Sequence, residues 1–134
     1  MTGILIVTHG NLSESLLESA SMFVSNIKNV HAISFYPGQG VEDLIVLVRG
    51  AMEQLATSDG ILALVDLPGG SPARAVGTVF SEVGHLEIVS GVNLPMLVEV
   101  LMMRDSMLFS KLAEYAVLSG NEGIVDIGHL LKGG

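Results

Sequence analysis

Short apolar runs alternate along this chain with longer stretches whose apolar residues recur at helical spacing. That alternation is the pattern of βαβ units laid on a mostly parallel sheet. Residues 3–8, GILIVT, are too apolar and too short for an independent helix and read as a first strand. From Ser13 to Asn26 a helix is expected, with Leu16, Leu17, Ala20, Phe23 and Val24 on one stripe and Asn11 or Ser13 as its N-cap. Val30 to Phe35 reads as a second strand, closed by the turn pair Pro37-Gly38, and Val41 to Ala56 as a second amphipathic helix. Gly60 to Asp66 repeats the logic of the first strand. A third helix is expected from Ser71-Pro72 to about Val83, because proline suits a first helical turn. His85 to Ser90 gives a fourth strand, followed by helical stretches over Met96 to Arg104 and Met107 to Ser119.

The tail, GIVDIGHLL, reads as a short final strand. A parallel crossover needs about a dozen residues, and only a few precede this run, so the strand is expected to pair antiparallel or with another subunit. The expected fold is therefore α/β, a doubly wound, mostly parallel sheet in the order 2-1-3-4 with helices on both faces. A chain of 134 residues suits one such unit, and residues 1–134 are expected to form a single domain.

Composition narrows the partners. The hydrophobic fraction is 49% and the mean hydropathy +0.60, which implies a sheet covered on both faces or apolar surface buried between subunits. Charge or glycine interrupts every apolar stretch before the roughly 18 residues of a membrane span, so no direct membrane insertion is expected. Six Lys and Arg against 14 Asp and Glu give a formal charge of −8, which excludes neutralising a run of nucleic-acid phosphates. There is no cysteine, hence no disulfide framework or thiolate metal site. The N-terminus lacks the basic segment and cleavage site of a secretory signal, so a cytoplasmic location is expected.

In open parallel sheets, ligands bind beyond the carboxyl ends of the strands where the strand order reverses. With the order 2-1-3-4, that crevice lies between Thr8-His9-Gly10 and Asp66-Leu67-Pro68-Gly69-Gly70-Ser71-Pro72. A carboxylate accepting from one imidazole N–H fixes the tautomer and leaves the other nitrogen nucleophilic, which gives His9 and Asp66 candidate catalytic roles. Gly69 and Gly70 let the backbone approach an anion and also suit a tight turn. The N–H groups opening the next helix supply donors, and Ser71 offers a hydroxyl or caps that helix. A nucleophilic histidine beside a small anion site suits phosphoryl transfer, in which catalysis is mostly positioning and charge stabilisation. No metal or organic cofactor is required. His31, His85 and His129 read as structural and share no metal-ligand spacing. Arg74 reads as a solvated cation in the first turn of the third helix, and the late methionines Met96, Met102, Met103 and Met107 as core or interface packing.

The segments VTHG at 7–10, VDLPGGSP at 65–72 and SGVNLPMLVEVLMMRD at 90–105, in register over nearly the whole chain, resemble the IIA component of the mannose/fructose/sorbose class of the bacterial sugar phosphotransferase system. The resemblance implies a cytoplasmic phosphocarrier that takes a phosphoryl group on His9 from the histidine phosphocarrier protein and passes it to a IIB component. Membrane IIC and IID components then act downstream and hold the sugar specificity. It also implies a homodimer that exchanges a C-terminal strand, Asp66 as the histidine's partner, and Ser71 in the phosphate environment. A fused IIB would need a linker and a following domain, so a separate IIA is expected from a sequence ending at Gly134. Three rivals remain beside it. A receiver domain phosphorylated on Asp66 would need further carboxylates to hold Mg²⁺, where the first strand ends in Thr-His. A serine hydrolase built on Gly69-Gly70-Ser71-Pro72-Ala73 lacks the elbow's last glycine. A non-catalytic regulatory dimer of the same fold is the third.

Overall fold

Gly3–His9 form β1, and every residue but the last is buried. Such burial on both faces explains why the strand reads as a continuous apolar run instead of an alternation. The structure, a computed structural model, describes residues 1–55 and 59–133. After β1 come α1 (Leu12–Ala20), β2 (Val30–Phe35), α2 (Val41–Gln54), β3 (Ile61–Val65), α3 (Ser71–Thr78), a 3₁₀ turn over Phe80–Glu82, β4 (Leu86–Val89), α4 (Leu94–Met103), α5 (Phe109–Glu122) and α6 (Ile127–Leu131). The expected run of the second helix to Ala56 ends on a residue outside the described ones.

The four strands are all parallel, in the order β2-β1-β3-β4. Period-two alternation sends odd and even positions to opposite layers. Leu5, Val7, Ala63 and Val65 pack with α2 and α3, through Leu44, Val48, Ala75 and Val76. Ile4, Ile6, Leu62 and Leu64 pack with α1, α4 and α5, through Ala20, Leu97, Val100, Leu112 and Ala116. The result is a three-layer α/β unit, doubly wound as its strand pattern predicts.

Several boundaries differ from expectation. The first helix stops at Ala20 rather than Asn26; Asn11 occupies the N-cap position, as expected, but its side chain makes no capping bond, and Ser13 lies inside the helix. Thr8 does the capping from the preceding strand, its Oγ1 accepting from the Ser13 backbone N–H at 2.7 Å. The third helix breaks after Thr78 into the 3₁₀ turn, one residue beyond Gly77, whose backbone freedom weakens a helix interior.

The tail is a correction. Residues 123–126 belong to no strand, and GIVDIGHLL ends as the short helix α6, capped by the Asp126 carboxylate accepting from the His129 N–H at 2.9 Å. A lone strand here would leave its backbone groups unpaired. Ile127, Leu130 and Leu131 also stand at i, i+3 and i+4, a helical spacing that the strand reading passed over. All three, with Ile124 and Val125, are exposed.

At the amino ends of the strands, Arg104 closes the fold. It caps the end of α4 and is 2% exposed, and its guanidinium donates to four main-chain carbonyls, those of Thr2, Asn26, Lys28 and Asn29. Burial lowers its pKa, with the neighbouring Asp105 charge opposing that shift. The carbonyls of Asn26, Lys28 and Asn29 turn to meet it, a geometry no continuing helix could give. Asn29 takes the left-handed conformation, φ 55°, to complete the loop. Replacing Arg104 with Met removes its donors from the buried Thr2 carbonyl and from the part-buried carbonyls of Asn26 and Lys28, so denaturant unfolding should show a loss of about 3 kcal/mol. Arg104→Lys, with a compact head that cannot span four carbonyls, should recover only part of it.

Candidate functional site

The register places the ends of β1 and β2 side by side, with His9 opposite Phe35, while β1 and β3 run paired to Val7 and Val65. One residue beyond that last pair is Asp66, whose carboxylate reaches across to His9. A single oxygen, Oδ2, accepts from both the His9 backbone N–H and the ring Nδ1–H, each at 2.8 Å. The other oxygen, Oδ1, accepts from the Leu67 N–H at 2.8 Å, so Asp66 also serves the turn, as its position suggests.

The chain around His9 is held as firmly as the ring. Gly10 takes φ +58°, a left-handed conformation that suits glycine, and its N–H donates to the Phe35 carbonyl at 2.7 Å. Below it, Thr8 caps α1, and the buried Ser13 hydroxyl donates to the Ile33 carbonyl at 2.9 Å. Phe35 stands edge-on to the imidazole, ring centroids 6.1 Å apart at 79°. On the other side the Asp66 carbonyl accepts from Gly91 N–H at 2.9 Å, fixing the loop after β3 to the loop after β4. Asn93, in that second loop, caps α4 and also donates to the Gly120 carbonyl of α5.

Burial disfavours the charged form of Asp66, but the His9 backbone bond, the His9 side-chain bond, the Leu67 bond and the His9 charge together outweigh it and lower its pKa. At neutral pH the carboxylate is ionised and can only accept. In the neutral ring the proton therefore sits on Nδ1, and Nε2 keeps its lone pair. The His9 side chain is 44% exposed and that of Asp66 12%, so the ring reaches solvent while its partner is covered.

Of the other expected site residues, Gly70 is the one in the closest contact with the ring. A Cβ built on it would lie 2.6 Å from His9 Cε1 and 3.2 Å from Nε2, so the Nε2 edge faces the turn that opens α3. Gly70 is the N-cap of α3, which moves Ser71 to the first helical position and removes the capping role expected for it. Gly69 sits in open space. Arg74 is exposed in the first turn of α3, as a solvated cation would be. His31 pairs with Leu5, four residues before His9 along β1, and His85 packs edge-on against Phe109. Among the described residues no group of three or more His, Cys, Asp or Glu is placed to hold a metal ion. The capping role of Thr8 and the contact of Phe35 with His9 were missed in the sequence, although the 2-1-3 order already brings the end of the second strand, Phe35, beside the end of the first.

A cavity of about 440 Å³ does exist, but at the other end of the sheet, lined by residues such as Met52, Leu55, Ile61, Val79 and His85. It holds none of the site residues.

A sequence profile described as PTS system fructose IIA component matches residues 3–117. The mannose-specific EIIAB component of the PTS of Escherichia coli (strain K12) is 43% identical over 122 residues, 90% of this chain, and the chain spans 38% of that relative's length. The PTS fructose-specific EIIA component of Bacillus subtilis (strain 168) is 32% identical over 105 residues, covering 78% of this chain and 72% of the relative. Among solved structures, the phosphotransferase system component EIIA from Streptococcus agalactiae superposes with a TM-score of 0.86 at 30% identity, covering 96% of this chain and 99% of that one.

The pKa direction gives a test with a defined sign. A carboxyl group held below its ordinary value of 3.8 stabilises the fold above that value, and the contribution is lost as pH falls through the lowered pKa. Unfolding measured across pH should show Asp66→Asn less stable than wild type near neutrality, with the gap closing under acid conditions below the ordinary carboxylate range.

Proposed function

The chain belongs to the family of PTS fructose IIA components, and from that premise we propose that it is a phosphocarrier which holds the phosphoryl group on His9 Nε2. The observation that carries this reading is the pair of bonds to Asp66 Oδ2. An ionised carboxylate can only accept, which supports a ring proton on Nδ1 and a lone pair on Nε2, in a side chain that reaches solvent. Such exposure suits a donor that is itself a protein, because a small substrate would call for an enclosing cleft.

The histidine phosphocarrier protein is the donor and a IIB component the acceptor. In the first step the Nε2 lone pair attacks the phosphorus of the donor's phosphohistidine. The new N–P bond forms as the donor's N–P bond breaks, and the electron pair leaves with the donor nitrogen. The His9 ring becomes cationic when phosphorylated, and ionised Asp66 stabilises that charge through the Nδ1–H bond it already makes. Backbone N–H groups at Gly70 and Ser71, with Gly69 leaving the approach clear, receive the phosphoryl oxygens at the positive end of α3. The step balances without a metal ion or an organic cofactor. Transfer to IIB is the same displacement in reverse, and membrane IIC and IID components complete uptake of the sugar.

The site of action is the cytoplasm, which accords with a chain in which no helix of the described residues is long and apolar enough to cross a membrane. The working unit is a homodimer. Support for it is the run of exposed apolar side chains along the end of the chain, Val117, Leu118, Ile124, Val125, Ile127, Leu130 and Leu131.

Intact-mass measurement after incubation with phosphoenolpyruvate, enzyme I and the histidine phosphocarrier should show one acid-labile phosphoryl group per chain, absent from His9→Ala. Asp66→Asn should slow the labelling on the order of 100-fold. No label on folded wild type would favour the regulatory dimer of the same fold. Sedimentation should give a dimer, and Ile127→Asp with Leu131→Asp should shift it toward monomer.

A further inference from the structure

Gly70 has φ −87° and ψ 179°, ordinary extended backbone that any residue adopts. Its lack of a side chain is therefore not a demand of the turn. The one close obstruction is the His9 ring, since a Cβ would fall 2.6 Å from Cε1 and 3.2 Å from Nε2, while the next neighbour, Pro72 Cδ, is at an ordinary 3.6 Å. Gly69, beside it, meets nothing within 4 Å. The two glycines thus differ in kind, although they look alike in the sequence.

We propose that Gly70 is a positioning residue whose bare Cα is the wall against which the His9 imidazole rests, holding Nδ1 on Asp66 and Nε2 toward the start of α3. The role rests on the phosphocarrier reading of His9 and adds to it the origin of the ring's orientation. Three contacts then define the imidazole: Asp66 Oδ2 on Nδ1, Phe35 edge-on, and Gly70 against the Cε1–Nε2 edge. A methyl group at position 70 occupies space the ring now fills. Either the ring swings away and gives up the Asp66 bond, or the turn opening α3 shifts. Both outcomes take Nε2 out of line with the donors meant to receive the phosphoryl group, and a displacement of about 1 Å at a reacting atom costs about 100-fold in rate.

The contact can be tested without any phosphoryl transfer, by a thermal-unfolding cycle over Gly70→Ala and His9→Ala. Gly70→Ala should lower Tm by about 5 °C in the wild-type background, and by much less in the His9→Ala background, where the ring is gone. An equal loss in both backgrounds overturns the proposal, because the glycine would then be serving something other than the ring. Imidazole NMR of Gly70→Ala should show the hydrogen-bonded Nδ1 proton of His9 lost or shifted, and phosphoryl uptake should slow about 100-fold. Gly77→Ala, on the exposed side of α3 with nothing within 4 Å of the added Cβ, is the control that should leave both unchanged. Wild-type uptake and an unchanged Nδ1 signal in Gly70→Ala would also overturn it. If wild type itself takes up no phosphoryl group, the carrier reading fails, while the thermal cycle and the Nδ1 signal still decide whether Gly70 places the ring.

Discussion

One carboxylate oxygen joins two strand ends and an imidazole ring. Asp66 Oδ2 takes the backbone N–H of His9 and its Nδ1–H at the same 2.8 Å, so the position of the main chain and the orientation of the imidazole are set by the same atom. That economy depends on the strand order. Because β1 and β3 are neighbours in a sheet whose order reverses at this point, their carboxyl ends open onto a common crevice, and short side chains suffice to bridge it. Had β2 and β3 been neighbours instead, Asp66 would have met Phe35, and His9 would have been left without a charge partner.

The strands and the site were legible for related reasons. A strand buried on both faces can only be apolar throughout, so residues 3–8 and 60–66 stand out against helices that keep a polar face. Once those runs are placed, the topology follows from short connections, and His9 and Asp66 fall at adjacent strand ends without any knowledge of side-chain geometry. The tautomer was legible only as a condition, since it turned on which ring nitrogen faced the carboxylate. The difference between Gly69 and Gly70 was hidden altogether. A sequence shows that a side chain is missing, and turn geometry is the usual reason; what excludes a side chain at Gly70 is a ring 61 positions earlier in the chain, visible only when the two loops are built together.

The boundaries misread in the sequence share another cause, a tertiary contact overriding a local pattern. Phe23 and Val24 continue the apolar stripe of α1, yet the helix stops at Ala20, and Asn26, Lys28 and Asn29 turn their carbonyls toward Arg104, which enters from the far end of α4. Arg104 itself reads as a charged residue at a helix end and gives no sign of being nearly sealed from solvent. The tail is the opposite case: it joins neither edge of the sheet, and local helical spacing and the Asp126 cap prevail over its β-branched residues.

These contacts divide the molecule between the two ends of its sheet. At the amino ends, Arg104 gathers carbonyls from β1's approach and from the loop before β2, and the β1 and β3 approaches are further tied by the Gly3 N–H donating to the Gly60 carbonyl at 2.9 Å. At the carboxyl ends, an imidazole stands partly in solvent, held by Asp66, Phe35 and the bare edge of Gly70. A group that must pass between protein surfaces has to be exposed, and exposure removes most of the packing that would otherwise fix a side chain's rotamer. The remedy here is to spread the constraint over contacts from the end of β2 and from both ends of the loop that joins β3 to α3. The ring keeps one orientation while part of it stays open to solvent, and the sheet beneath it is tied at the opposite end by Arg104.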